Sequence, residues 1–320
     1  RFQISQRLYG REQELETLLA MFDRVSQGTT ELVCVTGQAG IGKSALVYEI
    51  HRPITEKRGY FIAGKYDQFT RNIPYSALIQ AFQLLIRQLL TEPEDLVALW
   101  KERLLNALGA NGQVIIDIIP EVELILGEQP AAPELPPAQA QNRFNFVFQN
   151  FVRTFAAADH PLAIFLDDLQ WVDSPSLQLI ELCTTDPNMK HIFIIGAYRD
   201  NEVNETHPLM LKLGDIRKSG VTINTIALTP LDLEDVNHLI ADTLECDTEA
   251  PKSLSELLFQ KTGGNPFFLT QFFQSLYEEH LLEFNLNYGA WEWELDEIRK
   301  TEMTDNVVEL MSGKIQKLPE

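Results

Sequence analysis

Apolar residues recur at Leu15, Leu18, Leu19 and Phe22 in "REQELETLLAMFDRV", the spacing of one helix face. "ELVCVT" follows as a short apolar, β-rich run, which predicts a buried strand. "SALVYEIHRPI" predicts a helix and "GYFIAGKYD" a second strand. "YSALIQAFQLLIRQLL" and "EDLVALWKERLLNAL" have the pattern of amphipathic helices. The Pro- and Ala-rich stretch "GEQPAAPELPPAQAQ" is expected to be a loop or tether. A helix from Asn142 to about Ala158 leads into a third strand, "LAIFLDD". A helix near Leu177–Thr184 precedes a fourth strand, "HIFIIGAY". A helix near Leu209–Lys218 precedes a fifth, "TINTIAL".

Strands alternating with helices, with nearly continuous apolar strands, predict an α/β fold whose parallel sheet is covered on both faces. From Thr229 the pattern turns helical, in "DLEDVNHLIADTL", "SLSELLFQKTG" and "PFFLTQFFQSLYEEHLL". A short hairpin, "LEFNLNYGAWEWEL", follows. The expected division is an α/β domain over 1–229, a small helical domain over 230–283, and a hairpin with the start of a further helical domain over 284–320. The chain opens at Arg1 and closes on "MSGKIQKLPE", a helix cut in mid-pattern, so a fragment of a longer protein is expected.

At 320 residues the chain can bury a large core. Its formal net charge of −20 repels nucleic acid at long range, so general DNA or RNA binding is not expected. Cys34, Cys183 and Cys246 lack metal-ligand spacing and suit a reducing compartment, which points to the cytoplasm. The histidines show no zinc spacing. No apolar stretch is long enough to span a membrane. The aromatic run Phe144, Phe146, Phe148, Phe151 and Phe155 fits a core better than a base-stacking platform.

"TGQAGIGKSALV" carries the candidate chemistry. Gly37, Gln38, Ala39, Gly40, Ile41, Gly42, Lys43, Ser44 and Ala45 fit a phosphate loop between a strand and a helix. Glycines let backbone N–H groups converge on phosphate oxygens, and a helix amino end favours the anion. Lys43 is placed to reach the β- and γ-phosphates of a nucleotide, and the Ser44 hydroxyl to ligate Mg²⁺. "LAIFLDDLQWVD" then supplies the required acidic strand end. Asp167 would hold the metal, directly or through water, and Asp168 would orient or deprotonate the attacking water. A plain βα turn and a solvated acidic pair are the bland alternatives; each loses ground because the other motif is present.

Four further motifs give a family resemblance. "LYGREQELETLL", "GAYRDNEV", "LTPLDLED" and "TGGNPFFL" resemble segments of the STAND group of P-loop ATPases, near the AAA+ proteins. The resemblance implies a parallel five-stranded P-loop sheet with a helical lid. It places Gly10 and Arg11 at the adenine site, Arg199 at a γ-phosphate sensor position, and Pro266, from Gly264-Asn265-Pro266, against the base. "GKYDQF" and "RNIPYSAL" are similar to ATPase modules within large bacterial hybrid kinases. That similarity implies kinase and sensor domains of the same polypeptide as partners.

The expected function is a switch driven by ATP and ADP with Mg²⁺, slow hydrolysis serving as its timer. Nucleotide-dependent self-association is compatible with it, and an arginine finger supplied in trans is not identified by the sequence. A non-hydrolysing scaffold stays open. A phosphotransferase would need an acceptor pocket with its own base, and a mechanical remodeller would need a pore loop. Lys43→Ala is predicted to weaken ATP binding by about 1.5–3 kcal/mol, the usual worth of a hydrogen bond to a charged group. Calorimetric titration checks this, and an unchanged affinity would count heavily against the phosphate-loop assignment.

Overall fold

The computed structural model describes residues 2–69 and 73–300. Arg71 and Asn72 of "RNIPYSAL" lie outside the described residues. So does 301–320, where the cut helix was expected. The described residues group into two compact units: 13–38 with 43–227, and 2–12 with 39–42 and 228–300.

The first unit is built on five parallel strands. Helix α1 (Glu12–Ser26) precedes β1 (Thr30–Thr36), and α2 (Lys43–Glu49) and α3 (His51–Glu56) lead to β2 (Tyr60–Lys65). Four helices follow, α4 (Ser76–Leu89), α5 (Glu94–Leu108), α6 (Gly112–Ile116) and α7 (Glu123–Leu126), and then the long α8 (Pro137–Thr154). Next come β3 (Leu162–Asp167), α9 (Ser174–Thr185), β4 (Ile192–Tyr198), α10 (Pro208–Lys218) and β5 (Ile223–Ala227). The strand order is β2-β3-β4-β1-β5 and every pairing is parallel. Strand β4 is buried along its whole length, as the apolar run "IFIIGAY" requires of a strand covered on both faces.

Register makes one end of the sheet level. Lys65 pairs with Asp167, Leu166 with Gly196, and Thr36 with Tyr198. The last residues of β1, β2, β3 and β4 therefore share one edge, the carboxyl end, where open α/β sheets bind ligands.

The elements depart from the sequence expectation in three places. The single helix expected from "SALVYEIHRPI" is two, because the chain restarts after Ile50. Pro53 then stands in the first turn of α3, where its missing N–H costs nothing. Helix α8 starts at Pro137 rather than Asn142 and ends at Thr154. The last prolines of the supposed tether begin that helix, since a proline at its first position is pre-set for it. The sequence pattern predicts no element between Leu108 and Gly127. There Ile115, Ile119, Val122 and Ile125 are all buried by short helical turns on either side of Pro120. The phenylalanine run is core at Phe148, Phe151 and Phe155, which pack with Phe82, whereas Phe146 faces solvent.

The second unit contains α11 (Leu233–Leu244), α12 (Lys252–Thr262), α13 (Pro266–Glu278), the antiparallel hairpin β6 (Leu282–Asn285) and β7 (Ala290–Trp293), and α14 (Leu295–Lys300). Leu239, Ile240, Leu254, Leu258, Leu269, Phe273 and Leu276 form its core. The opening segment belongs to this core. The Phe2 ring stacks on Tyr277 with centroids 4.6 Å apart, and the Tyr9 hydroxyl donates to Asp242 at 2.8 Å.

Gly64 on β2 permits α4 to lie against the sheet. A Cβ there would stand 1.8 Å from the carbonyl oxygen of Ala77. A backbone atom cannot rotate away, so Gly64→Ala is predicted to destabilise by about 1–3 kcal/mol, the usual cost of overpacking. At Gly196 the obstacle is a leucine methyl of Leu169 at 2.3 Å, which can turn aside, so Gly196→Ala should cost less. Urea unfolding of both variants measures the difference.

Candidate functional site

The carboxyl edge of the sheet gathers the candidate residues of the first unit. The Ser44 hydroxyl, in the first turn of α2, donates to Asp167 Oδ2 at 2.8 Å across 123 residues of sequence. Lys43 is buried, and its Nζ donates to the carbonyl oxygens of Gly37 and Gln38, each at 2.8 Å. Burial pulls the Lys43 ammonium down from the ordinary lysine range, against the opposing charge of Asp167. Ala45 faces solvent.

Asp168 leaves β3 in the left-handed region, at φ 55°. Its own N–H donates to Asp167 Oδ1 at 2.9 Å. Both of its carboxylate oxygens are engaged. Gln170 Nε2 donates to Oδ1 at 2.8 Å, and Lys65 Nζ stands 3.0 Å from Oδ2. Arg199 Nε lies 3.7 Å from Oδ1, while its Nη1 pairs with Glu202 at 2.7 Å. Burial pushes the Asp168 carboxyl up. The hydrogen bonds from Gln170 and Lys65, with the charges of Lys65 and Arg199, outweigh that, and the net shift is downward. The partner effect is visible on Lys65, whose ammonium is raised chiefly by its bond to Asp168.

The loop crown, 39–42, groups with the second unit. Asn265 Nδ2 donates to the Ala39 carbonyl at 3.0 Å, and the Phe267 N–H to the Gly40 carbonyl at 3.2 Å. Asn265 also caps α13 by accepting from the N–H groups of Phe267 and Phe268, with Pro266 in the first turn. Gly40 sits at φ 75° with its α-carbon against that turn: a Cβ would be 2.7 Å from Phe267 Cβ and 2.9 Å from Asn265 Oδ1. Ile41 is buried, and Gly42 sits at φ 100° with open space beside it. Arg11 is buried as well, with Nη2 donating to the Thr229 carbonyl and lying 3.5 Å from that of Ile41. Gly10 lies against the Asp235 carboxylate, so closely that a Cβ would meet it.

Within the first unit the structure brings together Lys43, Ser44, Asp167, Asp168 and Arg199. Within the second it brings together Arg11, Ala39, Gly40, Ile41 and the Asn265-Pro266 turn. Sequence reasoning passed over Lys65 and Gln170 as site residues. The signal for Lys65 comes only from the pairing of β2 with β3, which sets it beside Asp167. Gln170 had none beyond its place two residues after Asp168.

A model of the family described as "AAA ATPase domain" matches residues 7–195. The chain belongs to that family. Hybrid signal transduction histidine kinase G of Dictyostelium discoideum is 32% identical over 98% of this chain, and histidine protein kinase 1 of Candida albicans is 20% identical over 81%. The chain spans only 11% and 12% of those proteins. Among solved structures, Cdc6p from Pyrobaculum aerophilum matches with a TM-score of 0.51 at 13% identity, over 87% of this chain and 65% of that one. The AAA ATPase domain thus has the α/β fold of P-loop NTPases. Among the described residues no helix is long and apolar enough to cross a membrane.

The Asp168 network makes a titration prediction. A carboxyl whose folded pKa is depressed stabilises the fold above the ordinary aspartate value, and that contribution is lost as pH falls through the lowered value. Lys65→Met removes one cause of the depression, so the Asp168 carboxyl is predicted to titrate at higher pH in that variant. Carboxyl-carbon NMR against pH measures it, and an unmoved titration would mean that Lys65 does not hold Asp168.

Proposed function

We propose that this AAA ATPase domain is a Mg-ATP-binding switch of the STAND type that hydrolyses ATP slowly inside a larger signalling protein. The observation that carries this reading is the Ser44–Asp167 contact beside the buried Lys43. A hydroxyl and a carboxylate 2.8 Å apart form a hard oxygen set that fits Mg²⁺. Among the described residues no group of three or more His, Cys, Asp and Glu side chains could hold a metal. Two chain oxygens suit an ion that takes its remaining ligands from water and substrate phosphates. Bound there, Mg²⁺ would neutralise charge on the β- and γ-phosphates.

The chain's own residues supply the rest. Lys43 would exchange its carbonyl acceptors for phosphate oxygens, a stronger charge-assisted bond. Asp168 would orient the attacking water once Lys65 or Gln170 yields an oxygen. Arg199 would turn from Glu202 to report the γ-phosphate, the difference between ATP and ADP that a switch needs. Gly10, Arg11 and Pro266 are proposed as the adenine contacts. Their support is the STAND-like motif pattern.

The full engagement of Asp168 favours a second reading, a nucleotide-binding scaffold that does not turn over. Kinase and sensor domains of one polypeptide are proposed as partners on the strength of the histidine-kinase relatives. Cytoplasmic placement and nucleotide-dependent self-association are proposed with them.

Phosphate release by the wild type and by Asp168→Asn separates the two readings. The expected result is slow release by the wild type and about a hundredfold or greater loss in the variant, in the range that general-base removal produces, with ATP binding retained. Equal background release in both would leave the scaffold reading.

A further inference from the structure

A cavity of about 770 Å³ opens in the second unit, lined by residues of the opening segment, α11, α13 and the hairpin. The phosphate-loop chemistry does not use it. Its apolar walls are Phe2, Tyr277, Phe284 and Trp291, with Leu282 and Leu286. Trp291 meets Phe2 edge-on at 5.5 Å, Tyr277 at 6.0 Å and Phe284 at 5.4 Å. Tyr277 and Phe284 line it and are each more than a third exposed, at 38% and 46%, although Phe2 stacks on Tyr277.

Two helices end on this cavity. Thr243 and Glu245 bring the last turn of α11 to it, and Glu278 and His280 that of α13. These helices are 12 and 13 residues long, and each presents its carbonyl end, the negative pole of the helix dipole. Glu245, Glu278 and Glu283 add carboxylates at the rim. Among the described residues neither lysine nor arginine lines the space, and the one titratable side-chain nitrogen there, on His280, lies 2.8 Å from Glu283.

Ring faces, carbonyl poles and carboxylates all favour the same charge. We propose that this cavity binds an organic cation, an ammonium or guanidinium group seated against Trp291 and Tyr277 and facing Glu245 and Glu278. Ring faces attract a cation that has shed part of its water, and the apolar walls accept the carbon skeleton attached to it. A free amine and a lysine or arginine side chain of a polypeptide share this chemistry.

Tryptophan fluorescence of the 320-residue chain tests it with choline, its neutral isostere 3,3-dimethylbutan-1-ol, and short blocked peptides carrying one lysine or one arginine. The expected result is saturable binding of a cation at least about tenfold tighter than of the neutral alcohol, the size of a cation–π contribution. Trp291→Leu should weaken it about tenfold. Glu245→Gln and Glu278→Gln should each weaken it about two- to threefold, with greater loss at low salt. Should Trp291→Leu disturb the fold by circular dichroism, the two exposed glutamate variants decide the matter. Binding of choline assigns the site to free amines, and binding of the peptides alone assigns it to a polypeptide partner. Equal affinity for the neutral alcohol, no saturable binding of any cation, or glutamate variants that bind like the wild type would overturn the proposal.

Discussion

The contact between Ser44 and Asp167 depends on the parallel sheet more than on either residue. One partner stands just after β1 and the other closes β3, with β4 between them. A hydroxyl and a carboxylate meet at 2.8 Å because the three strands end level. Side chains alternate between faces along a strand, so a slip of one residue in β3 would turn Asp167 away and bring an apolar side chain in its place. The buried ladders of β4 against both neighbours forbid that slip. The chemistry at the edge is therefore a property of the core.

A second consequence of the same edge is electrostatic. A chain with a net charge of −20 brings Lys43, Lys65 and Arg199 around Asp167 and Asp168. Positive charge is thus focused at the carboxyl edge of the sheet, beside the glycine-rich turn after β1, while the surrounding acidity discourages polyanions at long range. Lys65 and Arg199 each have a second role available, as partners of acids here and as donors to phosphate. An exchange of partners is what would let nucleotide state be read at the sheet edge.

Much of this was legible in the residues. The three central strands, β1, β3 and β4, could be read from continuous apolar runs, because a doubly covered strand has no polar face to blur the signal, whereas the edge strand β5, "INTIA", mixes polar and apolar positions. The placement of Lys43, Ser44, Asp167 and Asp168 at one edge was legible for a different reason: the spacing after β1 and at the end of β3 is fixed. What escaped was set by tertiary context. The turns between Leu108 and Gly127 are too short for a helical period to declare itself. Pro137 reads as a loop residue until its place at a helix start is known. Lys65 acquires meaning only when strand pairing puts it opposite Asp167. Phe146 sits among core phenylalanines in sequence, yet it points outward because the helix turns by about 100° per residue.

Helix α13 joins two places that the chain otherwise keeps apart. Its first residues grip the carbonyls of Ala39 and Gly40 through Asn265 and Phe267, and its last turn borders the aromatic cavity. Thirteen residues of α-helix make a rod about 20 Å long. Since Gly40 has no room beside that first turn, a tilt of the rod at its far end must either move the loop crown or break its grip.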